Sequence, residues 1–131
     1  MAVTVEHIAV NVADPVAMAS WYCEHLGMQV VRQGDPPASM HFLADASGRV
    51  ILEIYNALPD DVPDYGSMKP LVLHIAFASQ DAEADFERLV AAGALAVSDG
   101  VGVNADGDHM AMLRDPWGMT VQLCQRVVPM P

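Results

Sequence analysis

Two stretches of the chain repeat the same order of apolar and polar positions. Residues 6–11 (EHIAVN) recur in outline as residues 73–78 (LHIAFA), and each copy precedes an amphipathic segment that begins with Asp and ends with Gly. These segments, 14–27 and 81–93, have apolar residues at spacings of three and four, with Asp where an N-cap is expected and Gly where a helix stops. The pattern therefore predicts a strand followed by a helix in each half.

Short β-like runs separated by turn residues follow each predicted helix. The predicted strands are Met28–Arg32, Met40–Asp45 and Val50–Tyr55 in the first half, and Leu95–Val97, a piece near Val101–Val103, His109–Arg114 and Met119–Gln125 in the second. Because runs of strands follow each helix instead of alternating with helices, a doubly wound parallel sheet is disfavoured. The pattern predicts an α+β fold made of two βαβββ modules.

The Pro- and Gly-containing acidic segment 58–68 reads as a linker between a module of residues 1–57 and a module of residues 69–128. Modules of about 60 residues bury little surface alone, so we expect them to share one core in a single domain spanning residues 1–131.

Composition restricts the classes of function. Six basic residues against seventeen acidic ones give a formal net charge of −11, which argues against a nucleic-acid partner and against attachment to an anionic membrane. The two cysteines are too few for a disulfide scaffold, and no apolar run reaches the length of a membrane span. We therefore expect a soluble, cytoplasmic protein.

Four polar residues interrupt otherwise apolar strands at matching places in the two halves. His7 and His74 lie in the first strand of each module, and Glu53 and Gln122 lie in the last. A carboxylate in such a position has to be neutralised, paired or ligated, because burying it alone costs several kcal/mol. A divalent cation held by two imidazoles, one carboxylate and one amide oxygen meets that need, and the set suits Zn, Ni, Co, Mn or Fe.

The sequence resembles the vicinal oxygen chelate superfamily, which includes glyoxalase I, bleomycin-resistance proteins and extradiol dioxygenases. The segments that carry the resemblance are HIAV at residues 7–10, WYCEHLG at 21–27, LHIAF at 73–77 and RDPWGMTVQL at 114–123. The second is similar to the family's helix end, and the last is similar to its terminal hairpin. Together they cover nearly the whole chain in the family's order.

The resemblance implies a curled mixed sheet around a cup, with a divalent metal ion bound by His7, Glu53, His74 and Gln122. It also implies a homodimer and chemistry in which the metal chelates two adjacent oxygens of a small substrate. The family commonly has Glu at the position of Gln122. This departure leaves Glu53 as the only predicted ligand able to accept a proton, and it is the candidate catalytic base.

A metal-dependent lyase or isomerase of the glyoxalase type is the leading functional hypothesis. An extradiol-type Fe(II) dioxygenase using His7, His74 and Glu53 is one alternative, and a non-enzymatic bleomycin-resistance-like protein that sequesters a cationic compound is another. His41 and His109 are both expected at the surface or rim in preference to the cup. Arg32 and Arg114 either bind a substrate carboxylate or lie solvated at the rim.

Overall fold

A boundary between Pro63 and Asp64 divides the chain into two units, Met1–Pro63 and Asp64–Pro131. The computed structural model describes residues 1–131 with the exception of the side chain of Ile51. The boundary falls inside the segment 58–68 that the sequence marks as a linker. Each unit has its own sheet and its own helix.

The first unit is a four-stranded mixed sheet with one α-helix. Its elements are β1 (Ile8–Asn11), α1 (Pro15–Leu26), β2 (Gln29–Gln33), β3 (His41–Ala44) and β4 (Val50–Tyr55), followed by a 3-10 turn at Pro59–Asp61. The strand order is β1-β4-β3-β2, with β1 parallel to β4 and the other neighbours antiparallel. The first strand of the module therefore lies beside its last.

Helix α1 begins and ends where the sequence predicts. The Asp14 side chain accepts a hydrogen bond from the Ala17 amide at 3.1 Å, and Pro15 occupies the first turn. Gly27 ends the helix in the left-handed conformation, with φ at 67°, which glycine adopts without steric cost. The helix buries Met18 and Tyr22 completely, so this side of the sheet forms the core of the unit.

The second unit repeats this plan. Its elements are β5 (Ile75–Ala78), α2 (Ala82–Ala91), β6 (Leu95–Ala96), β7 (Gly102–Val103), β8 (His109–Arg114) and β9 (Thr120–Gln125), preceded by a 3-10 turn at Tyr65–Ser67. Strand β5 is parallel to β9, β9 is antiparallel to β8, and both β6 and β7 pair with β8. The predicted α+β class with two βαβββ modules is confirmed, with one outer strand of the second module split into β6 and β7.

No helix in the part of the chain that the structure describes is long and apolar enough to cross a membrane.

Strand alternation gives each sheet a helix-covered face and an opposite face, which we call the open face. In the first unit Leu43, Leu52 and Ile54 lie on the covered face and are buried. His41 pairs with Ile54 in the register and is only 4% exposed, with its Nδ1 2.6 Å from the Ser39 carbonyl oxygen. The expectation of a rim position for His41 is therefore wrong, because its parity places it on the buried face.

Hydrogen bonds from the Arg114 side chain connect the start of the second unit to the terminal hairpin. Its Nη1 donates hydrogen bonds to the Tyr65 and Gly118 carbonyl oxygens and to Thr120 Oγ1 at 3.0, 3.2 and 3.0 Å. Its Nη2 donates to the Met68 carbonyl oxygen at 2.7 Å. The structure gives Arg114 a structural role that the sequence did not indicate, because main-chain and hydroxyl oxygens accept hydrogen bonds from both terminal nitrogens of its guanidinium.

The terminal hairpin touches the same segment through Gly118. Gly118 has a φ of 91°, and a Cβ built on it would lie 2.5 Å from the Gly66 amide nitrogen. Only glycine fits there, because any side chain would require the left-handed conformation and would meet main-chain atoms of the neighbouring segment.

We predict that Gly118→Ala destabilises the protein by about 1–3 kcal/mol more than Gly100→Ala does, because only the first substitution adds a backbone clash to the conformational cost. Gly100 is the matched control in the same unit: its φ is 75°, and a Cβ added to it would have no neighbour within 4 Å. Urea unfolding of both variants measures the difference. Equal losses would show that the hairpin and residues 65–66 do not pack closely.

Candidate functional site

The first unit brings two of the predicted metal ligands together. His7 immediately precedes β1, and Glu53 lies in β4 opposite Ala9. His7 Nε2 is 4.0 Å from Glu53 Oε2, and the two side chains are 27% and 13% exposed. In the part of this unit that the structure describes, no side chain forms a hydrogen bond with the Glu53 carboxylate, and the imidazole of His7 is the basic group that lies within 4.0 Å of it.

The other ring nitrogen of His7 faces a carboxylate. His7 Nδ1 is 3.0 Å from Glu6 Oε1. A carboxylate only accepts hydrogen bonds, so Nδ1 is the donor in this contact, and Nε2 is the ring nitrogen that faces Glu53. A carboxylate or carbonyl that holds the far nitrogen is the usual way in which proteins orient a metal-binding histidine.

Phe42 supports the His7 ring from the neighbouring strand. It lies opposite Glu53 in the register, and its ring meets that of His7 edge-on, with 5.0 Å between centroids and an interplanar angle of 85°. The Arg32 guanidinium carbon lies 5.9 Å from the centroid of the same ring. His7, Phe42, Glu53 and Arg32 thus form one group on the open face of the first sheet.

The second unit carries the corresponding pair, His74 and Gln122. His74 immediately precedes β5, and its Nδ1 lies 2.9 Å from the Pro70 carbonyl oxygen. A carbonyl oxygen is an acceptor, so this nitrogen is the donor and Nε2 is again the ring nitrogen left for another partner. Gln122 lies in β9 opposite Ala76 and is partly buried, and no described group of this unit forms a hydrogen bond with its side-chain amide.

The predicted ligands are thus divided between the units, one pair in each. Among the residues that the structure describes, no group of three or more His, Cys, Asp or Glu side chains is arranged to hold a metal ion. The arrangement of all four side chains around one ion stays a prediction.

Each open face borders a cavity. In the first unit a cavity of 360 Å³ is lined by Glu6, Val31, Arg32, Phe42 and Val50. In the second a cavity of 480 Å³ has a more apolar wall that includes Ala76, Ala78, Cys124 and Met130. Burial raises the pKa of the Cys124 thiol, so this cysteine is an apolar wall residue and a poor nucleophile.

Sequence reasoning missed Glu6 and Phe42. Glu6 had a signal, because it is the residue next to a candidate ligand and carries a hydrogen-bond acceptor. Phe42 had a weaker one, since its opposition to Glu53 depends on the strand register, which is not visible in the sequence.

We predict that Glu6→Ala shifts neutral His7 from the Nδ1–H tautomer toward the Nε2–H tautomer, because the acceptor that holds the proton is gone. Long-range ¹H–¹⁵N NMR spectra of the metal-free protein report the tautomer of each ring. Glu6→Gln is the matched control, since its amide oxygen still accepts the hydrogen bond, and His74 is an internal reference. A His7 ring that keeps the Nδ1–H form in Glu6→Ala would contradict the assignment.

The chain is similar to known proteins over nearly its whole length. The family model described as Glyoxalase/Bleomycin resistance protein/Dioxygenase superfamily matches residues 4–123. A search of curated proteins gave no significant match.

Solved structures of the same fold cover nearly all of the chain. The structure of SMU.1112c is 28% identical with a TM-score of 0.71, covering 93% of this chain and 98% of its own. TnmS3, an antibiotic-binding protein from Streptomyces sp. CB03234, is 24% identical with a TM-score of 0.73 and covers 96% and 98%. A glyoxalase I variant from Zea mays is 24% identical with a TM-score of 0.70, and the match covers 94% of this chain but 45% of the maize chain.

Proposed function

Because the chain belongs to the Glyoxalase/Bleomycin resistance protein/Dioxygenase superfamily, we propose that it is a metal-dependent, glyoxalase-like lyase or isomerase. Its substrate is a small molecule with two vicinal oxygens. His7, Glu53, His74 and Gln122 bind one divalent metal ion, and the active form is a homodimer in the cytoplasm.

The orientation of the two histidines is the observation that carries this proposal. In both rings Nδ1 is held by an oxygen acceptor, at 3.0 Å for His7 and 2.9 Å for His74. Both rings therefore leave Nε2 as the nitrogen available to a metal ion, although one acceptor is a side chain and the other a main-chain carbonyl.

The separation of His7 and Glu53 also suits a shared ion. Metal bonds of about 2.0–2.2 Å place two ligands of one ion about 3–3.5 Å apart, and Nε2 and Oε2 are 4.0 Å apart. The observed separation exceeds that range by about 0.5–1 Å, so one of the two side chains has to move for both to bind one ion. Nitrogen, carboxylate and amide-oxygen donors together suit Zn, Ni, Co, Mn or Fe.

When bound, the ion would act as a Lewis acid on the two adjacent oxygens of the substrate. The proton transfer falls to Glu53, which takes the proton from the carbon beside the carbonyl and returns it to the neighbouring atom. Gln122 cannot do this, because an amide has no basic oxygen at neutral pH. The Glu53 side chain is only 13% exposed, which limits the contact of its carboxylate with water.

Two alternatives remain as proposals of lower rank. An extradiol-type dioxygenase would bind Fe(II) through His7, His74 and Glu53, with the carboxylate coming from the first module instead of the terminal strand. A sequestering protein would bind a cationic compound without catalysis. The similarity to TnmS3, an antibiotic-binding protein, and the net charge of −11 favour this second alternative.

We predict that the purified chain binds about one equivalent of Zn, Ni, Co, Mn or Fe per site and that His7→Ala and Glu53→Gln each lower the affinity by at least about tenfold. Elemental analysis and Co(II) absorption spectra give the stoichiometry and the affinity. His25→Ala is the matched control, since this histidine lies at the end of α1. Absence of metal after loading with all five ions would eliminate the enzyme and leave sequestration.

We predict that Glu53→Gln lowers turnover by about 10²–10⁴-fold, the usual contribution of a general base. Turnover is measured with methylglyoxal–glutathione, acyl-CoA thioesters and catechols, and deuterium uptake from solvent at the carbon beside the carbonyl reports the proton transfer. Glu87→Gln on the exposed side of α2 is the control. Deuterium uptake at the wild-type rate in Glu53→Gln would assign the base elsewhere.

A further inference from the structure

Basic side chains are scarce in this chain, and only some of them form ion pairs or hydrogen bonds. Three of the six are engaged in the second unit, where Arg88 pairs with Asp85, Arg126 pairs with Asp108, and Arg114 holds main-chain oxygens. In the part of the chain that the structure describes, the other three have no acidic side chain within 4.0 Å: Arg32, Arg49 and Lys69. In a protein with seventeen acidic residues, a guanidinium without an acidic partner is an available anion site.

Arg32 is held at the open face of the first sheet. It lies in β2 opposite Phe42, and Phe42 lies opposite Glu53, so the three residues form one row across the sheet. With strands about 4.8 Å apart, the Arg32 backbone is about 10 Å from that of Glu53. The Phe42 ring, 5.9 Å below the guanidinium carbon, supports the cation without neutralising it.

Arg49 lines a second cavity of the same unit. The 360 Å³ cavity that contains Arg32 is also lined by Glu6 and Val50. A neighbouring cavity of 590 Å³ shares those two residues and contains Arg49. The Glu6 carboxylate is directed at His7 Nδ1 and lies within ion-pair distance of neither arginine. The two guanidinium groups without an acidic partner in this unit therefore line two cavities that share Glu6 and Val50.

We propose that Arg32 and Arg49 bind an anionic group of the substrate, a carboxylate or a phosphate. This inference rests on the proposed function and gives the substrate class: a small anion whose charged group is several atoms away from its pair of vicinal oxygens. The oxygens lie at His7 and Glu53, and the charged group lies over Phe42. Guanidinium groups suit this task because their planar donors match carboxylate and phosphate oxygens.

The first experiment uses the metal-free protein, so that it does not depend on the metal site. ¹H–¹⁵N NMR titrations with butyrate, inorganic phosphate and the neutral isostere butyramide follow the Phe42 and Val50 amides and the Nε–H groups of Arg32 and Arg49. We expect saturable shifts with both anions, at least about tenfold weaker binding of butyramide, and loss of that preference in the Arg32→Gln/Arg49→Gln double variant. Arg88→Gln, which removes a cation on α2, is the control.

Equal responses to butyrate and butyramide would overturn the inference, as would a double variant that binds the anions as the wild type does.

The second experiment compares 2-oxoglutarate with its neutral-ended 5-methyl ester on Co(II)-loaded protein, with Kd measured by titration of the Co(II) spectrum. Tighter binding of the diacid, lost in the double variant, supports the inference; equal Kd values overturn it. Anion selectivity in the metal-free protein without any Co(II) binding would support the anion site and refute the metal-dependent function. Co(II) binding without anion selectivity would support the metal site and refute the anion site.

Discussion

In each unit the first strand pairs in parallel with the last, so residues from opposite ends of a module lie side by side. Ala9 faces Glu53 across β1 and β4, and Ala76 faces Gln122 across β5 and β9. Parallel neighbours cannot be joined by a tight turn, and the helix and the outer strands supply the long connection. The polar residues at the ends of each module meet because of this pairing, and every statement about the candidate site depends on it.

The repeat in the sequence predicts this arrangement well, because the signals involved are local. Asp14 and Gly27 bound the first helix as their capping chemistry indicates, and the strand bounds Val50–Tyr55 and His109–Arg114 agree with the structure. Periodicity also places His7 and Glu53 on one face. These features depend on spacing along the chain, which a single sequence records.

What the sequence could not predict depends on contacts between distant segments. His41 begins a strand, and its burial follows from the register that places it beside Ile54. Arg114 looks like a surface cation until the main-chain oxygens of Tyr65 and Met68 are located. Glu6 could be predicted only in part. Its position beside His7 can be read from the sequence, but the direction of its carboxylate cannot. Side-chain orientation is set by packing, and a single sequence contains no direct record of it.

The hydrogen bonds of Arg114 determine where the chain can be cut between the two units. The segment from Asp64 to Met68 lies before the first strand of the second module, yet it supplies two of the four oxygens that satisfy the Arg114 guanidinium. An excised fragment that began at Lys69 would leave those donors without their acceptors and would expose the surface that Tyr65 covers. Gene fission, circular permutation or fusion at this junction therefore has to break the chain upstream of Asp64. A break there keeps the segment from Asp64 to Met68 in the same fragment as the terminal hairpin.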